Sequence, residues 1–397
     1  MLSTALVWIR NDLRVRDHAP LRYAADHYDQ VIPVYCFDPR HFGTTMFDLP
    51  KMSSIRARFL RESVQDLRDS VQDLGADLVV RRGRPEDILP ELVRQTGANE
   101  VLQFQEIGGE EEDVETAVED ALRDTGATPG FFWGKTLYHI DDVPFDGPDD
   151  IPKVYTNFRK AVEKKSTVRP TLDAPDSLLP LPEDLNPGAI PTLDELGFDD
   201  DGTVDERGVL PFRGGETRGH DRIDEYIWRG DFLKKYKATR NGLLGANYSA
   251  KFSAWLAHGC ITPRQIHEAV ERYEDQRVDN KSTYWMKFEL IWRDFFSYVT
   301  WKAGERLFRP GGINGNDIDW RYYDKSFERW AAGTTGIPFV DANMRELNRT
   351  GYMSNRGRQN VASMLSQSLK LDWRMGAAYF ESRLVDYDVA SNWGNWA

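Results

Sequence analysis

The sequence predicts an α/β fold in two parts: an N-terminal doubly wound, Rossmann-like parallel sheet and a C-terminal all-helical domain. Three observations predict it. A chain of 397 residues exceeds what one hydrophobic core organises. Over residues 1–140, short β-rich runs alternate with amphipathic stretches, and beyond residue 220 almost no period-two alternation remains.

The elements follow in order. ALVWI at 5–9, VIPVYCF at 31–37, DLVVR at 77–81 and EVLQFQ at 100–105 read as strands, apolar along their length as strands covered on both faces must be. Ile55, Phe59, Leu60, Val64, Leu67, Val71 and Leu74 recur at three- and four-residue spacing, which predicts a helix packed on the sheet. No GxGxxG follows the first strand, so the usual dinucleotide fingerprint is missing. GFFWGKT at 130–136 is one residue short of a phosphate loop and is set aside. Residues 141–213 read as an interdomain linker, because 170–206 holds six prolines, eleven acidic residues and no Lys or Arg. Residues 214–397 form the predicted helical domain, with Ile223, Tyr226 and Ile227, then Phe252, Trp255 and Leu256, at helical spacing.

Net charge is −13, which argues against a generally basic nucleic-acid binder. The charge is uneven, however: residues 281–397 carry +3 and hold eight of the twelve tryptophans. Those rings either pack a core or stack on a base or flavin. No apolar run spans a membrane, and MLSTALVWIRND puts charge where a signal peptide keeps its apolar stretch, so a soluble, cytoplasmic monomer is expected. Cys36 and Cys260 stand alone, and a metal site is not indicated. GxSxG and HExxH are absent and the seven histidines are scattered, which leaves a cofactor as the carrier of any difficult chemistry.

Two segments carry that chemistry. YKATRNGLLGANYSAKFSAWLAHGCITPRQI at 236–266 joins a Gly/Asn-rich loop to a helix whose first turn is expected to carry Ser249, Lys251 and Ser253, a setting suited to a pyrophosphate. Ser249 as a plain N-cap explains the same pattern. In residues 339–396, Arg356 and Arg358 are expected ahead of an apolar helix, with Asp386, Asp388 and Asn392 after another. Solvated charge is the ordinary reading, but the apolar neighbours Leu384, Val385, Val389 and Ala390 favour burial of the two carboxylates.

With FELIWRDFF at 288–296 and LVWIRNDLRVRDHAPL at 6–21, these segments resemble the photolyase/cryptochrome family. YCFDPRHF at 35–42, GGET at 214–217, TRNG at 239–242 and SNRGRQNVAS at 354–363 resemble its DASH branch. The resemblance implies FAD held by Tyr236, Ser249, Lys251, Phe252, Ser253 and Arg293, with Arg358 and Asp386 as an ion pair beside the ring. Asp388 matches a carboxylate on the ring's polar edge, and Asn392 the residue that faces flavin N5. Trp396, Trp373 and Trp320 match an electron-transfer triad, and Glu289, Trp292, Asn355 and Gln359 match the lining of a lesion pocket. Glu106 matches the acidic contact of an antenna pterin, 5,10-methenyltetrahydrofolate. The implied activity is light-driven, carbon–carbon lyase repair of cyclobutane pyrimidine dimers, with damaged single-stranded DNA, or RNA, as partner. The alternative is a blue-light photoreceptor that repairs little or nothing. Family members continue past the position of Ala397, so a truncated or minimal chain with weaker lesion stacking is expected.

Overall fold

The computed structural model describes residues 2–199, 203–322 and 325–397. Five parallel strands, β1 (Thr4–Ile9), β2 (Gln30–Phe37), β3 (Val79–Arg82), β4 (Glu100–Phe104) and β5 (Thr128–Phe132), lie in the order β3-β2-β1-β4-β5. Every residue of β1 and β2 is buried, because helices cover both faces. Ala5 pairs with Val31 on one side and Glu100 on the other, so the strand order reverses at β1. In such sheets the crevice beyond the strand ends at that reversal is where ligands bind.

The helices of this half are α1 (Ala19–His27), α2 (Ser54–Asp73), α3 (Pro85–Thr96) and α4 (Gly109–Leu122). Ser53 caps α2 by accepting from the Arg56 amide, while Pro85 opens α3 and Gly97 closes it in a left-handed conformation. The predicted strands and the 55–74 helix are all present. Strand β5 is an addition: the rejected phosphate-loop lookalike overlaps it and supplies Phe131 and Phe132 to the sheet.

Residues 141–213 are more than a connector. They contain α5 (Tyr155–Lys165), whose Tyr155, Phe158 and Val162 are buried. The acidic stretch after it lacks helix or strand among its described residues yet is fastened to the sheet domain: Leu178 N donates to Leu74 O at 2.7 Å and Val80 N to Pro187 O at 2.7 Å. Residues 200–202 of that stretch lie outside the described residues.

The helical half runs through α6 (Glu216–Ile223), α7 (Tyr236–Thr239), α8 (Ser253–Ala257), α9 (Pro263–Gln276), α10 (Lys281–Ala303), α11 (Lys325–Ala332), α12 (Pro338–Thr350), α13 (Asn355–Ser363), α14 (Trp373–Arg383) and α15 (Val389–Trp396). Capping boxes at Thr262/Gln265 and Asn280/Thr283 fix the starts of α9 and the long α10. Among the described residues no helix is long and apolar enough to cross a membrane.

Candidate functional site

The loop between α7 and α8 departs from its sequence reading. The short helix α8 begins at Ser253, with Phe252 at its cap position, so Ser249 and Lys251 stand in the loop ahead of it and Ser249 is no N-cap. Lys251 has a left-handed φ of 57°, uncommon for a long side chain, and its side chain is buried. Its Nζ donates to Ala246 O at 2.9 Å and lies 3.4 Å from the centre of the Tyr248 ring. Lys251 is 4% exposed and has no carboxylate in ion-pair contact among the described residues. Burial accordingly draws its ammonium down to about 7. Tyr236 and Phe252 are buried, each edge-on to Tyr226, and the Tyr248 hydroxyl is buried without a partner among the described residues.

A second group comes from α13 and the turn into α15. Arg356 and Arg358 lie within α13 rather than ahead of it, because Ser354 caps that helix one residue before Asn355. Arg358 Nη2 donates to both oxygens of Asp386, at 2.9 and 2.8 Å, and Nε donates to Met353 O. Burial alone would lower the Arg358 pKa; the Asp386 charge outweighs it and raises it. Asp388 caps α15 by accepting from Ser391 N at 2.7 Å, and Arg293 Nη2 approaches it to 4.0 Å. Burial pushes the Asp388 carboxyl up, but Arg293 and the Ser391 hydrogen bonds hold it below its ordinary range. Asn392 is buried and its Nδ2 donates to Ala377 O at 3.0 Å. Arg293 itself donates to Lys135 O and to Leu256 O, bringing α8 and the turn after β5 to one guanidinium.

The expected lesion wall is assembled from α10, α13 and the loop after α7. Glu289 accepts from Arg240 Nη1 at 2.6 Å, and burial raises its pKa in spite of that charge. Neighbouring Asn241 accepts from Arg356 at 3.1 Å, and Arg356 donates to Gln359 Oε1 at 2.7 Å. Asn355 and Gln359 are exposed. Lys237 and Arg240 both stand over the Trp285 ring, at 4.4 and 5.3 Å. Trp292 is stacked on Tyr155 at 3.6 Å with 7° between the planes, so a residue of the presumed linker covers one of its faces. Sequence reasoning passed over Tyr155, Arg240 and Trp285 as site residues. TRNG marks a loop at Arg240 but points to no partner for it.

Trp396, Trp373 and Trp320 fall in one aromatic cluster with Trp393 and Phe308. Trp320 and Trp373 donate their indole N–H to the same carbonyl, Pro310 O, each at 3.0 Å. Trp396 packs on Gly376, where a Cβ would land 2.3 Å from its ring, and edge-on to Phe380 at 5.1 Å. Trp373 is buried, while Trp396 and Trp320 are half-buried.

Glu106 belongs elsewhere. It lines a cavity of about 350 Å³ between the two domains, reached from the ends of β1, β2 and β4 at the strand-order reversal. Glu106 is buried and ion-paired with Lys135, which sits in the GFFWGKT segment set aside above. Asp388, Tyr387 and Trp393 close the cavity from the helical side.

Comparison with known proteins agrees with this layout. The family described as DNA photolyase matches residues 5–178, and the FAD binding domain of DNA photolyase matches residues 285–397. A Cryptochrome DASH from Gloeobacter violaceus is 53% identical over 394 residues, 99% of this chain and 78% of the relative. Another from Natronomonas pharaonis is 53% identical over 396 residues, 100% of this chain and 83% of the relative. The crystal structure of Synechocystis cryptochrome superposes with a TM-score of 0.96 at 48% identity, covering 99% of this chain and 81% of that one. A class III photolyase from Agrobacterium tumefaciens gives 0.83 at 29% identity, covering 100% and 79%. A parallel sheet domain, a helical domain with an Arg358–Asp386 ion pair, and these relatives place the chain in the photolyase/cryptochrome family, among the cryptochromes DASH.

Proposed function

We propose that this protein binds FAD in its helical domain and uses blue light to split cyclobutane pyrimidine dimers in single-stranded DNA by electron transfer. The observation that carries the cofactor half is Lys251, a buried ammonium without a carboxylate partner among the described residues. A buried cation is costly unless paired, and a diphosphate supplies the missing charge. When bound, FAD supplies the light absorption and one-electron chemistry that side chains lack.

The chain's own residues do the rest. Lys251 and Arg293 hold the diphosphate, and Ser249, Ser253 and Tyr236 border it. Asp386 fixes Arg358, which presents positive charge to the ring, and Asp388 accepts from the ring's polar edge. Asn392 offers an amide where a carboxylate would repel a reduced, anionic ring. Glu289, oriented by Arg240, hydrogen-bonds the flipped-out dimer, and Trp292 offers the face away from Tyr155 for stacking. Asn355, Gln359 and Arg356 line the entrance, and the cations Lys237, Arg240 and Arg356 support a strand in an otherwise acidic chain. Trp396, Trp373 and Trp320 carry electrons inward from the surface. Glu106 and the cavity around it hold the antenna pterin.

The test is illumination of reduced, flavin-loaded protein with dimer-containing oligothymidylate. Recovery of thymine absorbance in light but not in darkness is expected. Intact dimers after illumination would sink the repair reading and leave the photoreceptor reading in its place.

A further inference from the structure

Trp393 is not part of the expected triad, yet it touches it. Its ring meets Trp373 edge-on with centroids 5.8 Å apart. Its indole N–H donates to the Tyr387 hydroxyl at 3.2 Å. An indole N–H only donates, so the phenol accepts there and keeps its own hydrogen for another partner. The Glu381 carboxylate on α14 is the base that faces this phenol, and it lines the cavity between the domains. Both Trp393 and Tyr387 reach the interdomain cavity. A continuous contact chain therefore leads from the tryptophan row to a phenol with a base beside it, away from the outer surface where Trp320 lies.

We propose that Trp393 and Tyr387 form a side branch of the electron path, ending in a tyrosyl radical at the interdomain cavity. The inference rests on the reading that Trp396, Trp373 and Trp320 carry electrons under light. In the step proposed, a Trp373 radical cation, formed when the row gives up an electron to the excited chromophore, takes one electron from Tyr387 through Trp393. The Tyr387 O–H bond breaks and its proton passes to the Glu381 carboxylate. Trp373 returns to its neutral form, and the products are a neutral phenoxyl radical and a protonated Glu381. A phenol that loses its proton as it is oxidised yields an electron more readily than a tryptophan, so the transfer runs downhill.

The surroundings fit that direction. Tyr387 faces Glu381 from α14, Arg56 from α2 at 4.8 Å over its ring, Glu111 from α4 and Trp393 from α15. Burial and the two carboxylates hold the phenol protonated in its resting state, against the opposing pull of Trp393 and Arg56. It therefore enters the step with the proton that Glu381 accepts. Arg56 Nη2 donates to Lys51 O, while Nε and Nη1 are buried without partners among the described residues, so the guanidinium has charge to spare for the anionic carboxylate before transfer.

The experiment is flash illumination of the flavin-loaded full chain without added reductant, followed by transient absorption and by electron paramagnetic resonance on protein grown with ring-deuterated tyrosine. The expected result is a tryptophan radical that gives way to a signal narrowed by the deuterium label. Tyr387→Phe and Trp393→Phe should each lose that signal while the tryptophan radical lives longer. Glu381→Gln should slow its appearance, with the helical content and flavin occupancy of every variant checked beforehand. A tyrosyl signal that survives Tyr387→Phe or Trp393→Phe overturns the branch. A tryptophan radical in the unaltered chain with no tyrosyl successor overturns the branch alone, whereas the absence of any radical overturns the photochemical reading with it.

Discussion

Replacing Asp386 with Asn keeps the side-chain shape and removes the counter-charge of Arg358. The Asp386 side chain is 2% exposed and that of Arg358 is 24% exposed. Arg358 loses a contact in which one nitrogen serves both carboxylate oxygens, and retains its bond to Met353 O. Stranding one partner of a buried ion pair costs roughly 3–5 kcal/mol. Water reaches part of the guanidinium, so the cost falls at or just below the bottom of that range, about 2–3 kcal/mol. Arg358→Met removes the stranded charge, and in a double-mutant cycle the two substitutions together should cost less than their sum by about 1–3 kcal/mol. Equilibrium urea unfolding of the flavin-free chain measures all four corners, and flavin retention should fall in both single variants. A loss under about 0.5 kcal/mol for Asp386→Asn, or additivity within about 0.5 kcal/mol, refutes the pairing as the organiser of this pocket.

Lys251 gives a pH signature. Its proton is released near pH 7 in the folded flavin-free chain but only near 10.5 when unfolded, so the unfolded state holds more protons between those values and stability rises with pH across that window. Lys251→Met should flatten the rise in urea midpoint; an unchanged slope counts against burial of the ammonium. Asp294 is fully buried on α10 and accepts from Leu137 N and Tyr138 N at 2.8 and 2.9 Å. Asp294→Asn sets a donor against one of those amides, at about 1–3 kcal/mol, and should speed hydrogen exchange at Leu137 and Tyr138; unaltered exchange rejects the clasp. Gly376→Ala drives a methyl into Trp396, with overpacking of about 1–3 kcal/mol. Light-driven flavin reduction should slow, and an unchanged rate with an unchanged melting temperature would show that the ring yields without consequence.

How much of this was legible depends on whether the signal was local. Strands β1 and β2 are unbroken apolar runs because they lie under helices on both faces, and β3 and β4 carry enough of the same pattern to be read. β5 is TPGFF at the sheet edge, and its Pro and Gly are residues that argue against a strand, so pattern reading passes over it. α5 carried Tyr155, Phe158 and Val162 at helical spacing, but the acidic, proline-rich stretch after it dominated the composition of the whole span. Burial of Asp386 was legible from its apolar neighbours. The pairs Arg240–Glu289 and Tyr155–Trp292 were not, since each joins segments far apart in sequence and no spacing rule connects them. The position of Lys251 was hidden for a different reason: a positive φ is unexpected for a long side chain, so a helix start was the simpler reading.

The opening segment LRVRDH shows why the two domains act together. Arg14 is buried and donates to Gly259 O at 2.9 Å and to Asp17 O. Asp17 accepts from Thr262 Oγ1 and Arg264, each at 2.6 Å, and Glu216 accepts from Val15 N at 2.8 Å. These are charges of one domain satisfied by groups of the other, and a buried charge without its partner is among the most costly defects a protein can hold. Sliding the sheet domain over the helices would strand Arg14, Asp17 and Glu216 at once and break the Asp294 clasp as well. A pure apolar seam would tolerate such sliding, because hydrophobic contact is non-directional. The polar seam does not, and it therefore fixes the width of the cavity that Glu106 lines and its distance from Trp393 and Asp388 on the far wall. Under the function proposed above, excitation or charge crosses that cavity, and the LRVRDH contacts then set the distance it travels although none of them touches the site.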